Sequence, residues 1–419
     1  MSQEPSVALH RRTRCRLCES AQLDLALSPT PTPLANALVD EEHLDIPEPL
    51  FPLDVFVCNA CGHAQLLGIV DPKALFTHYL YVSGTSPVFV EHLRSYAEEV
   101  LERFEVPGGS LVVEIGSNDG TLLGELQRRG LRVLGVDPAR NIVEESTERG
   151  IPAMADFFTA SLARGIREDH GGAAIIVANN VLAHIDELGD VMEGIRRLLL
   201  PNGVLVFEVG YLLDVVSGTL FDTIYHEHVS YHTVRPLLGF LERHGLELFD
   251  VARNDSQGGS IRCYVQLRGG PNVRTPAVSD LCALEEQILG LNPLKRVRAM
   301  GDQIERVRSD LTTLLSEIQA RGQRIAGYGA PAKATTLMYY FGLTRDVLEF
   351  IVDDNPLKQG RFTPGLHVPI VSAERLVDGP PDYLLLLAWN FADSIIERNR
   401  NFTDAGGKFI VPLPELKIR

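Results

Sequence analysis

The chain has 419 residues, 45% of them apolar, enough for sizeable cores and too many for one ordinary domain. Its 39 basic and 55 acidic residues leave a net charge of −16, which argues against broad binding to nucleic-acid phosphate backbones. No apolar run reaches the ~18 residues that a membrane span needs. The opening residues, MSQEPSVALHRRTRC, lack the apolar core of a signal peptide, so a cytoplasmic protein without a membrane partner is expected.

In chain order, residues 1–72 form a Pro-rich module with little regular period and two C-x-x-C pairs, Cys15/Cys18 and Cys58/Cys61. Disulfides are improbable in a cytosolic chain, and four thiolates suit tetrahedral zinc in a closed, structural site. The spacer, residues 19–57, is longer than in the usual four-cysteine pattern of roughly 15–20 residues. The bland alternative is two unrelated pairs of small core residues. Residues 73–109 are a bridge that carries Tyr79 and ends in a helical segment, FVEHLRSYAEEVLERF.

From 110 to about 268, apolar strands (LVVEIG, RVLGVD, AAIIVAN, VLVFEV) alternate with helical stretches, the pattern of a parallel α/β sheet. The turn VVEIGSNDG, with Glu114, Gly116, Ser117, Asn118 and Gly120, resembles motif I of the class I S-adenosylmethionine (SAM) methyltransferases. Asp137 ends the next strand, where an acidic side chain accepts hydrogen bonds from ribose hydroxyls. Asp156 and Phe157 fall where such folds hold adenine, and Asn179, Asn180 and His184 follow a further strand end. Each has a plain alternative: a packing turn for the glycines, a helix cap for Asp137. GLELFDVARND and SQGGSIRCYVQLRG read as a terminal hairpin, the ending of a methyltransferase sheet and not of a dinucleotide-binding one.

Within this region DTIYHEHVSY places Tyr225, His226, Glu227 and His228 side by side. If Tyr225 and His228 both touch one ligand, the segment is a turn or helix start, because i and i+3 share a face only there. His226 is expected to be a packing histidine. A long helical stretch over 276–320 precedes a second α/β series from 324. Its opening, RIAGYGAPAKATT, offers Tyr328, Gly329, Ala330 and Lys333 at a strand–turn–helix junction suited to phosphate. IVDDNPLKQGR adds Asn355 and Lys358. An NAD site, or an inert Rossmann-like fold, fits the same residues.

The two C-x-x-C pairs, EIGSNDG, YHEH, GYGAPAKATT and VDDNPLKQG together resemble the bacterial sugar C-methyltransferases, specifically the C-3′-methyltransferases of dTDP-4-keto-deoxysugars of the D-tetronitrose type, in antibiotic-sugar pathways. The resemblance covers essentially the whole chain. It implies a zinc module (1–72), a SAM-binding methyltransferase domain (73–275) and a helical linker with a second Rossmann-like domain that anchors the sugar nucleotide (276–419). It implies SAM and structural Zn²⁺ as cofactors, a dTDP-linked 4-keto sugar as substrate, and a monomer. His228 is the implied base that removes the C-3′ proton, with Glu227 as the other candidate or an orienting partner. Tyr225, His184 and Tyr79 would hold the sugar and stabilise the enolate. Two rival classes stay open: a sugar-nucleotide oxidoreductase or epimerase using NAD, and a zinc-ribbon binding protein with a degenerate methyltransferase domain.

Overall fold

The computed structural model describes residues 8–77, 79, 82–85 and 87–419. The N-terminal module holds strands β1 (Leu9–Arg11), β2 (Leu23–Leu27), β3 (Val55–Cys58), β4 (Ala64–Leu66) and β5 (Gly68–Val70). β1 pairs with β5, while β2, β3 and β4 form an antiparallel meander. The length of the cysteine spacer has a physical reason. Between β2 and β3 the chain leaves the meander and docks on the C-terminal region, where Val39 and Phe362 exchange backbone hydrogen bonds of 3.0 and 2.9 Å.

The central sheet contains β6 (Leu111–Ile115), β7 (Arg132–Val136), β8 (Ala153–Met154), β9 (Ala173–Asn179) and β10 (Leu199–Gly210). A short strand, β11 (Ser230–Tyr231), comes next in the chain but joins the N-terminal meander, antiparallel to β4. β12 (Leu246–Asn254) and β13 (Ser260–Leu267) complete the central sheet in the order β12-β13-β10-β9-β6-β7-β8. β13 is antiparallel to both neighbours and the other pairs are parallel, as the expected terminal hairpin requires. Alternate residues pack on opposite faces: Val112, Ile175 and Val206 on one, Val113, Ile176 and Phe207 on the other.

The 276–320 stretch is two helices, Pro276–Leu289 and Leu294–Ala320, parted where Gly290 takes φ +78° and Pro293 precedes the second helix. The second helix buries Val297, Met300, Ile304, Val307, Leu311, Leu315 and Ile318 at three- and four-residue spacing, one apolar stripe. Each such side chain contributes about 1.5–3 kcal/mol on burial. The C-terminal sheet, β14 (Ile325–Tyr328), β15 (Ile351–Val352), β16 (Ile370–Val371), β17 (Tyr383–Leu386), β18 (Lys408–Val411) and β19 (Lys417–Ile418), has the order β16-β15-β14-β17-β18-β19. All its pairs are parallel except β18–β19. The order reverses between β14 and β17, the place where open α/β sheets present a crevice. One continuous core joins this sheet, the long helix and N-terminal residues such as Leu53 and Val57. Among the described residues no helix is long and apolar enough to cross a membrane.

Candidate active site and metal centre

The four cysteines meet. Cys15 and Cys18 sit on the turn before β2; Cys58 ends β3, and Cys61 lies in the tight turn that Gly62 completes at φ +82°. Their Sγ atoms all lie within 4.8 Å of one another, with Cys15–Cys61 at 3.7 Å and Cys18–Cys58 at 3.5 Å. Thiolates on tetrahedral zinc at ~2.3 Å lie ~3.8 Å apart, so the donor set and its size fit a closed four-thiolate site.

A single cavity of about 790 Å³ runs along the carboxyl ends of the central strands to the C-terminal region. At one end its wall includes Glu114, Gly116, Ser117, Asn118, Asp137, Phe157, Asn179 and Asn180. Gly116 has φ +70°, and a Cβ there would lie 2.9 Å from Val181 Cγ2, so both conformation and space call for glycine. Asp137 accepts the Asn118 and Ala139 amides at 2.9 Å each, leaving further lone pairs open. Burial pushes its pKa up, and the two amides pull it back. Burial also raises the Glu114 carboxyl well above its usual range, with Asp119 and Asp137 adding to it. Glu114 Oε2, Ser117 Oγ and both polar atoms of Asn179 are buried and have no partner within the protein. Buried polar groups find partners as a rule. A nucleoside with ribose hydroxyls, an ammonium group and a carboxylate supplies the donors that Glu114, Ser117 and Asn179 Oδ1 lack and an acceptor for Asn179 Nδ2, so SAM fits.

The loop at the middle of the cavity follows a 3₁₀ turn, Phe221–Thr223. His228 N–H donates to Tyr225 O at 2.9 Å, closing a turn that puts both side chains on one face. The Tyr225 hydroxyl lies 3.0 Å from His228 Nε2, and His228 Nδ1 lies 2.8 Å from Thr223 O. A carbonyl only accepts, so Nδ1 carries the hydrogen and Nε2 presents its lone pair. Burial lowers the His228 pKa to about 4, which leaves the ring neutral at neutral pH. The His184 ring is 5.0 Å from that of His228 and stacks on Phe76. Burial, then the neighbouring His228, hold it neutral as well. Glu227 points elsewhere: Asn36 Nδ2 donates to Oε1 at 2.5 Å and the Tyr79 hydroxyl to Oε2 at 2.7 Å. Burial raises its pKa to about 7 despite both hydrogen bonds. His226 is buried against the Phe51 ring, with Nε2 on Phe51 O at 3.2 Å.

The far end of the cavity holds two lysines, each beside a carboxylate, Lys358 Nζ lying 3.8 Å from Asp353 Oδ2. Lys333 Nζ sits 3.4 Å from Asp222 Oδ2 and 4.9 Å from the centre of the Trp389 ring, whose Nε1–H donates to the same carboxylate oxygen at 2.7 Å. Lys358 Nζ donates to Ala330 O at 2.8 Å, and Asn355, Asn390 and Phe391 complete this wall.

Of the residues expected from sequence, the cavity brings together Glu114, Gly116, Ser117, Asn118, Asp137, Phe157, Asn179, Asn180, Tyr79, His184, Tyr225, His228, Lys333, Asn355 and Lys358. Six lie outside its wall. Gly120 packs on Ser146 and Ile151, where a Cβ would stand 2.6 and 2.9 Å away. Asp156 is exposed and caps its own turn by accepting the Phe157 amide at 2.8 Å. Glu227 stands behind Tyr79 and Asn36. Tyr328 donates to Asp354 at 3.1 Å, the Ala330 amide to Asp353 at 2.7 Å, and a Cβ on Gly329 would sit 2.6 Å from Ala388 Cβ. Asn36 and Asp222 are the functional neighbours that sequence reasoning missed. Asp222 stood in the quoted DTIYHEHVSY, but nothing local marks Asn36.

A seven-stranded sheet whose last strand is antiparallel, a glycine turn beside an acidic strand end and unpaired polar atoms around them define a class I SAM-dependent methyltransferase. Three family models tile the chain: "Putative zinc binding domain" over residues 15–76, "Methyltransferase domain" over 89–251 and "C-methyltransferase C-terminal domain" over 255–414. The chain is 38% identical to the C-methyltransferase NovU of Streptomyces niveus across 404 residues, 96% of either chain. It therefore belongs to the bacterial SAM-dependent C-methyltransferases with a four-cysteine zinc module. It is also 23% identical to a ubiquinone biosynthesis O-methyltransferase of Colwellia psychrerythraea over 155 residues, 34% of this chain and 62% of that one. Among solved structures it is similar to the magnesium protoporphyrin IX methyltransferase ChlM of Synechocystis PCC 6803 (TM-score 0.34, 17% identity, 43% of this chain and 83% of that one).

Proposed function

We propose that the enzyme methylates C-3′ of a dTDP-linked 4-keto-deoxysugar through an enolate, in deoxysugar biosynthesis for an antibiotic. The observation that carries this reading is one cavity lined by three chemistries: nucleoside acceptors at Asp137, a neutral histidine–tyrosine pair at its middle, and Lys333 with Lys358 at its far end. Two lysines suit a diphosphate. A ketone at C-4′ makes the neighbouring C–H acidic, and an uncharged imidazole facing it is a general base.

His228 is the base in this reading. Its Nε2 takes the proton, and the Thr223 carbonyl on Nδ1–H holds the tautomer and then stabilises the imidazolium. Released from Nε2, the Tyr225 hydroxyl donates to the developing C-4′ oxyanion, with neutral His184 beside it. Glu227 orients Tyr79 and is not the base, because two side chains stand between it and the cavity. SAM, when bound, supplies an electrophilic methyl group to the enolate carbon.

The reading is tested by incubating the enzyme with SAM and a panel of dTDP-4-keto sugars, and locating the added CH₂ by NMR. Methylation at C-5′, the other carbon next to the ketone, corrects the position; no transfer to any such sugar overturns the substrate class. His228→Asn should retain SAM binding and lose ~10²–10⁴-fold in kcat, the range for a general base. Near-normal turnover of His228→Asn beside an inactive Glu227→Gln moves the base to Glu227.

A further inference from the structure

One side chain ties the zinc knuckle to both catalytic histidines. Arg16 lies between the ligands Cys15 and Cys18, and its side chain is wholly buried. Its Nε and Nη2 donate to Asp186 Oδ1 at 3.0 and 2.8 Å. Nη1 donates to Val229 O at 2.8 Å and to Gln65 Oε1 at 3.3 Å, and Nη2 also reaches Leu66 O at 3.1 Å. The Arg16 backbone amide is itself fixed on Gln65 Oε1 at 2.9 Å. Asp186 follows His184 by two residues, and Val229 directly follows His228. The two histidine segments also meet each other, because Val229 N–H donates to Ala183 O at 2.9 Å.

We propose that Arg16 is a positioning residue, which sets the His184 and His228 rings relative to one another from the rigid metal knuckle. The planar guanidinium fork is what this task needs: it reaches a carboxylate on one loop and a carbonyl on another in fixed directions, which a lysine ammonium does not. The zinc site thereby has a share in the chemistry although every one of its ligands is a cysteine. This inference rests on the reading of His228 and His184 as catalytic.

Arg16→Lys is the test, with zinc content, SAM affinity, histidine ¹⁵N–¹H NMR and turnover measured on the same full-length preparation. The expected protein keeps about one zinc per chain and binds SAM within ~2-fold of the parent. Its His228 Nδ1–H signal broadens and exchanges faster. Its kcat falls ~10²-fold while KM for the sugar stays within ~3-fold, the pattern of reacting groups misplaced by about an ångström. An unchanged His228 signal with parental kcat overturns the proposal, and so does a loss that follows zinc or SAM occupancy. Should Arg16→Lys not fold, Asp186→Asn breaks the link from its other end and is expected to broaden the same signal. If no sugar is turned over even by the parent enzyme, the substrate reading fails while the histidine signal still decides the role of Arg16.

Discussion

The two α/β regions begin alike and end differently. In each, a strand runs into a glycine with positive φ, Gly116 or Gly329, and an aspartate ending the neighbouring strand accepts two backbone amides, Asp137 those of Asn118 and Ala139, Asp353 those of Ala330 and Asn355. Beyond that the central turn leaves Glu114 Oε2, Ser117 Oγ and the Asn179 amide without partners, facing the cavity. The C-terminal turn closes on itself: Ala388 fills the space over Gly329, and Lys358 takes the Ala330 carbonyl. A glycine turn with an acid at the next strand end is therefore a way of building the turn, and ligand binding is marked by the polar atoms left over. That contrast favours SAM at the central turn and weighs against NAD at the C-terminal glycine turn, whereas Asn390 Oδ1, buried without a partner, lines the C-terminal wall of the cavity.

Exchanging the two aspartates breaks or sharpens the comparison with the largest effect. Asp137→Asn should raise the SAM dissociation constant ~10–100-fold, the value of one charged hydrogen-bond acceptor, whereas Asp353→Asn should leave it unchanged, both read by calorimetry. NAD binding to the parent protein that Asp353→Asn abolishes would end the contrast. Next in size, Gly329→Ala meets Ala388 in a left-handed turn and should cost about 1–3 kcal/mol of stability, seen as a lower Tm with SAM affinity retained.

The remaining contrast is in pH. Burial depresses the pKa of His63, His184, His226, His228 and His232, all in the N-terminal and central parts. In that window the unfolded chain binds more protons, so the stability these groups contribute is lost as pH falls from ~6.5 toward 4. Glu114, Asp137, Glu227 and Glu285, whose pKa values burial raises, oppose part of this on acidification. Hydrogen exchange should accelerate around residues 181–232 before the 325–411 strands. Simultaneous opening would mean that the shared core overrides the histidines.

Most of the central sheet was legible, because buried parallel strands are short continuous apolar runs and the terminal hairpin alternates around a Gly-rich turn. The zinc ligands were legible from spacing alone. What escaped was non-local. Asn36 reaches Glu227 from within the long cysteine spacer, and β16 has two residues, too few for a period. The YHEH segment gave its residue types, and a turn or helix start only on the condition that Tyr225 and His228 share a ligand, but not that Glu227 faces Asn36 and Tyr79 while His228 faces the cavity. That division is set by which elements pack on either side of the loop.

β11 closes the meander of the first module, yet it is encoded some way downstream, after most of the central sheet, and Val39 finds its partner Phe362 later still. On the ribosome the cysteine knuckle therefore emerges well before β11 and waits with β4 as an open edge. Such an edge is a template for wrong pairing until its own strand arrives. Early metal capture would hold the knuckle compact through that interval, while the last join, Val39 to Phe362, becomes available only when the C-terminal region is made. An isolated N-terminal fragment should accordingly be prone to self-association even when fully metallated.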